Sequence, residues 1–244
     1  MNPLIDPHLA SPLVEVWHVP LSLCSRRAIA LYRSLDVHER AAADRAGSEQ
    51  HWRQRVLSRY ALHQILASRM FSVPSENICI KATTYGKPCI VSPADAPTFN
   101  VSHCDGWALI AVSHAVAVGV DLERLCADRA NAVMEGPSLT VGERDRLQNL
   151  SVAQRSEAAL AIWTQKEALA KGLGLGLGLS FSQWAAPWPA MRGTAKGAEL
   201  DGKSLLPGWT VGYIAAPEGY IAALAVQAPD YHVRQRHFDW CSTP

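Results

Sequence analysis

Apolar residues along this chain recur with two different periods, and the alternation between them lays out the elements. Leu13–Val19 (LVEVWHV) reads as a short strand closed by Pro20. Helical spacing follows: Ser25–Ala46 is rich in Ala and Arg, and Gln50–Met70 sets Trp52, Val56, Leu57, Leu62, Ile65 and Leu66 along one face before Pro74. Short strand signals come next at Ile78–Ala82, Phe99–Ser102 and Trp107–Ser113, with Tyr85-Gly86-Lys87-Pro88 as a turn. His114-Ala115 leads from the last of these into an adjoining strand, Val116–Leu122 (VAVGVDL). A helical region over about 139–172 runs into alternating Gly and Leu at 172–179, and the tail returns to strands at Trp209–Ala215 and Tyr220–Gln227.

The order strand, helices, β-meander therefore occurs twice. VEVWHV corresponds to VAVGVD, and Gly106-Trp107 before one apolar run corresponds to Gly219-Tyr220 before another. The predicted fold is α+β, with two similar halves, 1–115 and 116–244, related by a pseudo-two-fold axis and each packing a small antiparallel meander on helices.

Composition narrows the setting. With 244 residues, 48% hydrophobic and 18% charged, the chain can bury a sizeable core without disulfide or metal staples. Its 23 basic and 22 acidic residues exclude a polybasic or acidic-tail protein. The balance is regional, however: residues 26–69 hold nine Arg and four acids, whereas 121–157 hold seven acids and five Arg. The six cysteines form no C-x-x-C pair and no zinc-spaced cluster, which fits reduced thiols in the cytoplasm. The N-terminus lacks a signal-peptide pattern, and no run of about 18 apolar residues predicts a membrane span.

Two clusters carry candidate chemistry. In Gly119-Val120-Asp121-Leu122-Glu123, strand periodicity puts Asp121 and Glu123 on one face, a hard oxygen pair suited to Mg²⁺. In Trp163-Thr164-Gln165-Lys166-Glu167-Ala168-Leu169-Ala170-Lys171, helical periodicity lines up Trp163, Glu167 and Lys171, and Lys166 points to a different face. Each cluster alone has an ordinary alternative, a solvated strand end or a surface ion pair worth a few tenths of a kcal/mol.

Together they form V-G-V-D, 41 residues (122–162), then W-T-x-K-E-A-x-x-K. Tyr85-Gly86-Lys87-Pro88 and Phe99-Asn100-Val101-Ser102-His103 precede them in order. This set resembles the signature of the 4'-phosphopantetheinyl transferases, and the length with two α+β halves resembles their monomeric, Sfp-type branch. Over 85–171 the resemblance is one of motifs, and outside it one of architecture.

The resemblance implies transfer of 4'-phosphopantetheine from coenzyme A to a serine hydroxyl of an apo acyl or peptidyl carrier protein, releasing adenosine 3',5'-bisphosphate. It places Mg²⁺ on Asp121, Glu123 and Glu167. Glu167 stands at the general-base position, with direct proton transfer and relay through a bound water both open. Lys171 reaches the pyrophosphate. Ser102 and His103 contact the coenzyme's phosphates, Lys87 its nucleotide end, and Arg53 or Arg55 the 3'-phosphate, Arg53 being preferred. Glu143 stands about where relatives carry another acid. Basic residues are sparser than in the family around HERAAADR, where Arg40 and Arg45 remain, and the G-x-G-L that follows Lys171 is lengthened into the Gly-Leu run, read as a flexible helix exit. Neither nucleic acid nor membrane is an expected partner.

A hydrolase built on Ser102, His103, Cys104 and Asp105 is excluded by geometry, because four consecutive residues cannot face one another as nucleophile, base and orienter. A catalytically inactive coenzyme A or carrier-protein binding module is the alternative, distinguished by whether any carrier is modified.

Overall fold

The structure, a computed structural model, describes residues 11–70, 73–93, 95–174, 180–188 and 203–241. Strand β1 (Leu13–Pro20) is followed by helices α1 (Ser25–Tyr32), α2 (Val37–Asp44) and α3 (Glu49–Ala67), then by β2 (Cys79–Ala82), β3 (Pro88–Ser92), β4 (Thr98–Cys104) and β5 (Trp107–Ser113). Next come β6 (Val118–Arg124), α4 (Ala127–Glu135), α5 (Val141–Gln148), α6 (Val152–Leu173), β7 (Lys203–Leu206), β8 (Trp209–Ile214), β9 (Tyr220–Val226) and β10 (His232–His237).

The α+β composition is as expected, and the differences from the sequence reading have local causes. Ser25–Ala46 is two helices, not one, because Asp36 starts a new helix with a capping box. Its carboxylate accepts from the amides of His38 and Glu39, and the Glu39 side chain accepts from the Asp36 amide. The helical region after 139 is likewise interrupted at Ser151, whose hydroxyl caps α6. Helix α4 and strands β3, β7 and β10 lack a clear periodicity and were not anticipated.

Two four-stranded sheets dominate, ordered β10-β1-β5-β4 and β6-β9-β8-β7, while β2 and β3 form a separate hairpin. Strands β5 and β6, adjoining in sequence, lie in different sheets: β5 pairs with β1 and β4, and β6 with β9. Strand β10 pairs in parallel with β1, so residues 232–237 are hydrogen-bonded into the sheet of the N-terminal half.

Alternation along the strands assembles the layers. Val14, Val16, Leu109 and Ala111 pack against Val118, Val120, Leu122 and Leu224, filling the space between the sheets. Opposite faces of the first sheet, through Val19, Ala108, Ile110 and Val112, meet Val56, Leu57, Leu62 and Ile65 of α3. The far face of the second sheet, through Val211, Ala223 and Ala225, meets Ala168 and Leu169 of α6. Burial on both faces is why WALIAVS and YIAALAV read as nearly continuous apolar runs.

The sheets are also joined edge to edge. Asn100 and Ser102 stand two residues apart on β4, and their side chains accept from the backbone amides of Val120 (2.9 Å) and Leu122 (3.2 Å) on the neighbouring edge of β6. Polar side chains thus supply the partners that a further strand would otherwise provide.

Candidate active site

Strand β6 sorts its residues by parity. Val118, Val120 and Leu122 enter the core between the sheets. Gly119, Asp121 and Glu123 face the other way, where α6 crosses. A Cβ on Gly119 would lie 2.0 Å from the carbonyl oxygen of Ala168 and 2.3 Å from the amide nitrogen of Gly172, so only glycine allows this approach. Further along the strand, Asp121 meets Lys171 and Glu123 meets Trp163. Two residues of strand advance about 6.6 Å and four residues of helix about 6 Å. Strand and helix therefore run in opposite directions, Asp121 meeting the last turn of α6 and Glu123 its middle.

Asp121 is buried, at 3% exposure. Its Oδ1 accepts from the Lys171 ammonium at 2.6 Å and from the Ser102 hydroxyl at 2.9 Å, and Lys171 also donates to Ser102 Oγ at 3.0 Å. Asp121 Oδ2 is buried without a hydrogen-bond partner. Glu123 Oε1 accepts from Arg129 of α4 at 2.6 Å and from the Trp163 indole at 2.8 Å. Glu167 lines the same cleft as these two carboxylates. Burial, then the negative charge of Asp121, holds its carboxyl above the usual carboxylate range, with Glu123 adding to the effect and Lys171 and Arg129 opposing it.

The cleft encloses about 570 Å³ and is lined by Asp121, Glu123, Glu167, Lys171, Ser102 and His103, together with His51 and Gln54 of α3 and Arg129 of α4. His103 opens onto the solvent of the cleft, yet the surrounding protein holds its imidazole below the usual histidine range, and the charges of Lys171, Arg55 and His51 act in the same direction. Carboxylates and cations thus share one cleft, Asp121 paired with Lys171 and Glu123 with Arg129. Burial pushes the Cys104 thiol up to about 11, which removes it as a nucleophile near neutral pH.

The three carboxylates predicted to hold Mg²⁺ share this cleft but are not drawn into a cluster. Among the described residues no group of three His, Cys, Asp or Glu side chains converges closely enough to hold an ion. The donor chemistry nevertheless fits a hard cation: Asp121 Oδ2 is a buried oxygen lacking a donor, and Glu167 is disfavoured in its ionised form by burial first and then by the negative charge of Asp121.

The rest of the helical motif builds the support. Thr164 donates back to the Leu160 carbonyl, and Gln165 donates to the Pro187 carbonyl at 2.9 Å and to the Tyr213 hydroxyl. Lys166 is fully buried on the opposite side of α6, donating to the carbonyls of Ser138 (2.8 Å) and Phe181 (2.7 Å) and to Glu143 Oε2 (2.6 Å). Glu143 is therefore a structural partner: it also completes the capping box of α5 and accepts from the Ala186 amide, away from the cleft.

Two residues assigned to coenzyme A, Lys87 and Arg53, do not line this cleft. Lys87 donates to the Gly172 carbonyl at 2.6 Å, and Arg53 is not among the residues lining the cleft. Of the two candidate arginines, Arg55 is the one whose charge acts on His103, while its own guanidinium donates to the Ala42 carbonyl. Arg129 and His51 were missed by sequence reasoning. Neither carries a local signal, since each reaches the site only through the packing of α4 or α3. Gly174, in the left-handed conformation (φ 72°), ends α6, and the Gly-Leu run at 175–179 lies outside the described residues.

Comparison with known proteins points to one family. The profile of the 4'-phosphopantetheinyl transferase superfamily matches residues 117–225, and that of the N-terminal region of 4'-phosphopantetheinyl transferases matches residues 24–115. The 4'-phosphopantetheinyl transferase HetI of Nostoc sp. is 27% identical over 168 residues, covering 68% of this chain and 70% of the relative. The 4'-phosphopantetheinyl transferase gsp of Aneurinibacillus migulanus is 30% identical over 108 residues, covering 43% of this chain and 42% of the relative.

Proposed function

Because the chain belongs to the 4'-phosphopantetheinyl transferase superfamily, we propose that it moves 4'-phosphopantetheine from coenzyme A to a serine hydroxyl of an apo acyl or peptidyl carrier protein. The serine oxygen bonds to the β-phosphorus, the bridging P–O bond breaks, and adenosine 3',5'-bisphosphate leaves. The observation that carries this reading is the shared cleft of Asp121, Glu123, Glu167, Lys171, Ser102 and His103.

Each side chain has a part. Lys171, already held by Asp121 and Ser102, presents its ammonium to the pyrophosphate as a point charge. His103, flanked by the charges of Arg55 and His51, takes a phosphate and gains a proton as it does so. Glu167, on the same cleft, receives the serine proton. Arg129 and Trp163 fix the orientation of Glu123. Asp121 through Oδ2, Glu123 and Glu167 would hold Mg²⁺. When bound, that ion neutralises pyrophosphate charge as the transition state forms.

We read the halves 1–115 and 116–244 as two copies of one unit in a monomeric, cytoplasmic, Sfp-type enzyme. In support, each sheet pairs the first strand of its half antiparallel with the second strand of a later hairpin, β1 with β5 and β6 with β9. No helix among the described residues is long and apolar enough to cross a membrane.

Incubation with coenzyme A, Mg²⁺ and an apo carrier protein, followed by intact-mass measurement, tests the function. One phosphopantetheine group is gained, and EDTA, Asp121→Ala or Glu167→Ala abolishes the gain. Binding of coenzyme A without modification of any carrier would instead identify an inactive binding module.

A further inference from the structure

Lys87 sits in the turn of the β2–β3 hairpin, far in sequence from α6, yet its ammonium ends on that helix. Nζ donates to the Gly172 carbonyl at 2.6 Å. The last four carbonyls of a helix lack an amide partner within it. In α6 the Gly174 amide turns back to the carbonyls of Ala170 and Lys171, and Lys87 supplies the donor for Gly172. A cation in this place also opposes the partial negative charge at the helix C-terminus. The lysine stem lies over Gly174, where a Cβ would come 3.0 Å from Lys87 Cδ.

The turn that delivers this side chain is itself well tied. The Thr83 amide donates to the Lys87 carbonyl (2.8 Å), the Lys87 amide to Thr83 Oγ1 (3.1 Å) and the Gly86 amide to the Thr83 carbonyl (2.9 Å). Gly86 adopts a positive φ of 83° that glycine accepts without strain. On its other side, Gly172 is bounded by Trp209 and Gly119. The final turn of α6 is therefore gripped from two directions, and Lys171, the residue just before Gly172, is the one that reaches Asp121 and Ser102.

We propose that Lys87 is a positioning residue for the transfer reaction: its ammonium clamps the last turn of α6 and so holds Lys171 in register with Asp121. The reaction itself rests on the transferase reading above; the clamp rests on the geometry at Gly172.

The test uses the full chain with Lys87→Met, which keeps the stem and removes the donor, and Lys87→Arg, which restores a donor. Steady-state kinetics are measured with coenzyme A and with 3'-dephospho coenzyme A, and hydrogen exchange is followed at the amides of 170–174. Lys87→Met is expected to lower kcat about tenfold, as loss of one hydrogen bond would, with KM nearly unchanged and the loss equal for both donors. Exchange at 170–174 rises, and Lys87→Arg reverses both effects. Should Lys87→Met fold poorly, Lys87→Leu is read in its place. A raised KM for coenzyme A that disappears with the dephospho donor would assign Lys87 to the nucleotide and overturn the proposal, as would unchanged exchange at 170–174. A wild-type chain that modifies no carrier would overturn the transferase reading, which the exchange measurement distinguishes from failure of the clamp.

Discussion

Gly119 of β6 and Gly172 of α6 meet backbone to backbone, and a Cβ on Gly119 would stand 2.3 Å from the Gly172 nitrogen. Neither backbone can yield as a flexible side chain would, so this contact fixes how deeply the helix settles on the strand. Gly119→Ala is expected to destabilise the protein by about 1–3 kcal/mol, the usual range for overpacking, and to reduce transfer in the molecules that remain folded. The urea midpoint and kcat measured on the same preparation check both effects.

Glu167 shares the cleft with Asp121 and Glu123, and its ionised form is disfavoured by burial and by their charge. Removing its charge relieves that strain while removing the proposed base. Glu167→Gln should therefore raise the melting temperature of the metal-free protein by about 2–4 °C, the response of a chain this size to about 1 kcal/mol, and abolish transfer. Mg²⁺ should stabilise the wild type more than the variant. A thermal melt with and without Mg²⁺ decides; an unchanged or lower melting temperature in the variant would count against the arrangement.

His103 titrates below the ordinary histidine range of about 6.5 because of the surrounding protein and the charges of Lys171, Arg55 and His51. In the window between its folded value and about 6.5 the unfolded chain binds a proton that the folded chain does not, so His103 makes stability fall as pH is lowered through that window. His103→Gln should flatten this part of the stability profile. Binding of adenosine 3',5'-bisphosphate, which favours the protonated imidazole, should tighten as pH falls in the wild type and lose most of that dependence in the variant. Calorimetric titration between pH 5.5 and pH 8 provides the measurement.

Lys166 and Glu143 form a buried ion pair at 2.6 Å with every donor of the ammonium engaged. Lys166→Met leaves a buried carboxylate unpaired and should cost about 3–5 kcal/mol. Adding Glu143→Gln should recover part of that loss, which a double-mutant cycle in urea measures. If Lys166 were instead a pyrophosphate contact, the single variant would keep its stability and lose its affinity for coenzyme A.

These side chains divide what was legible from what was not. Periodicity placed Asp121 and Glu123 together, and Glu167 and Lys171 together, because the side-chain repeat of a strand or a helix is a local property of the backbone. It also separated Lys171 from Lys166, which the structure buries on the opposite side of the helix. The β1, β5, β8 and β9 segments were readable for the same reason, whereas β10, with its alternating arginines, becomes a strand only through its parallel pairing with β1.

What one element does to another was not readable, since it is decided by which buried groups find partners across the fold. The depth of α6 on β6 follows from the absence of a Cβ at Gly119. The seam between the sheets follows from Asn100 and Ser102 meeting two unpaired amides of β6. Arg129 reaches Glu123 because α4 packs beside α6, and Lys87 reaches Gly172 because a helix end left a carbonyl without a donor. The sequence by itself determined which acidic and basic residues share a face of a strand or helix. Tertiary structure decided which lysine meets the aspartate and which serves the scaffold, because burial permits a charge only where its partners are already in place.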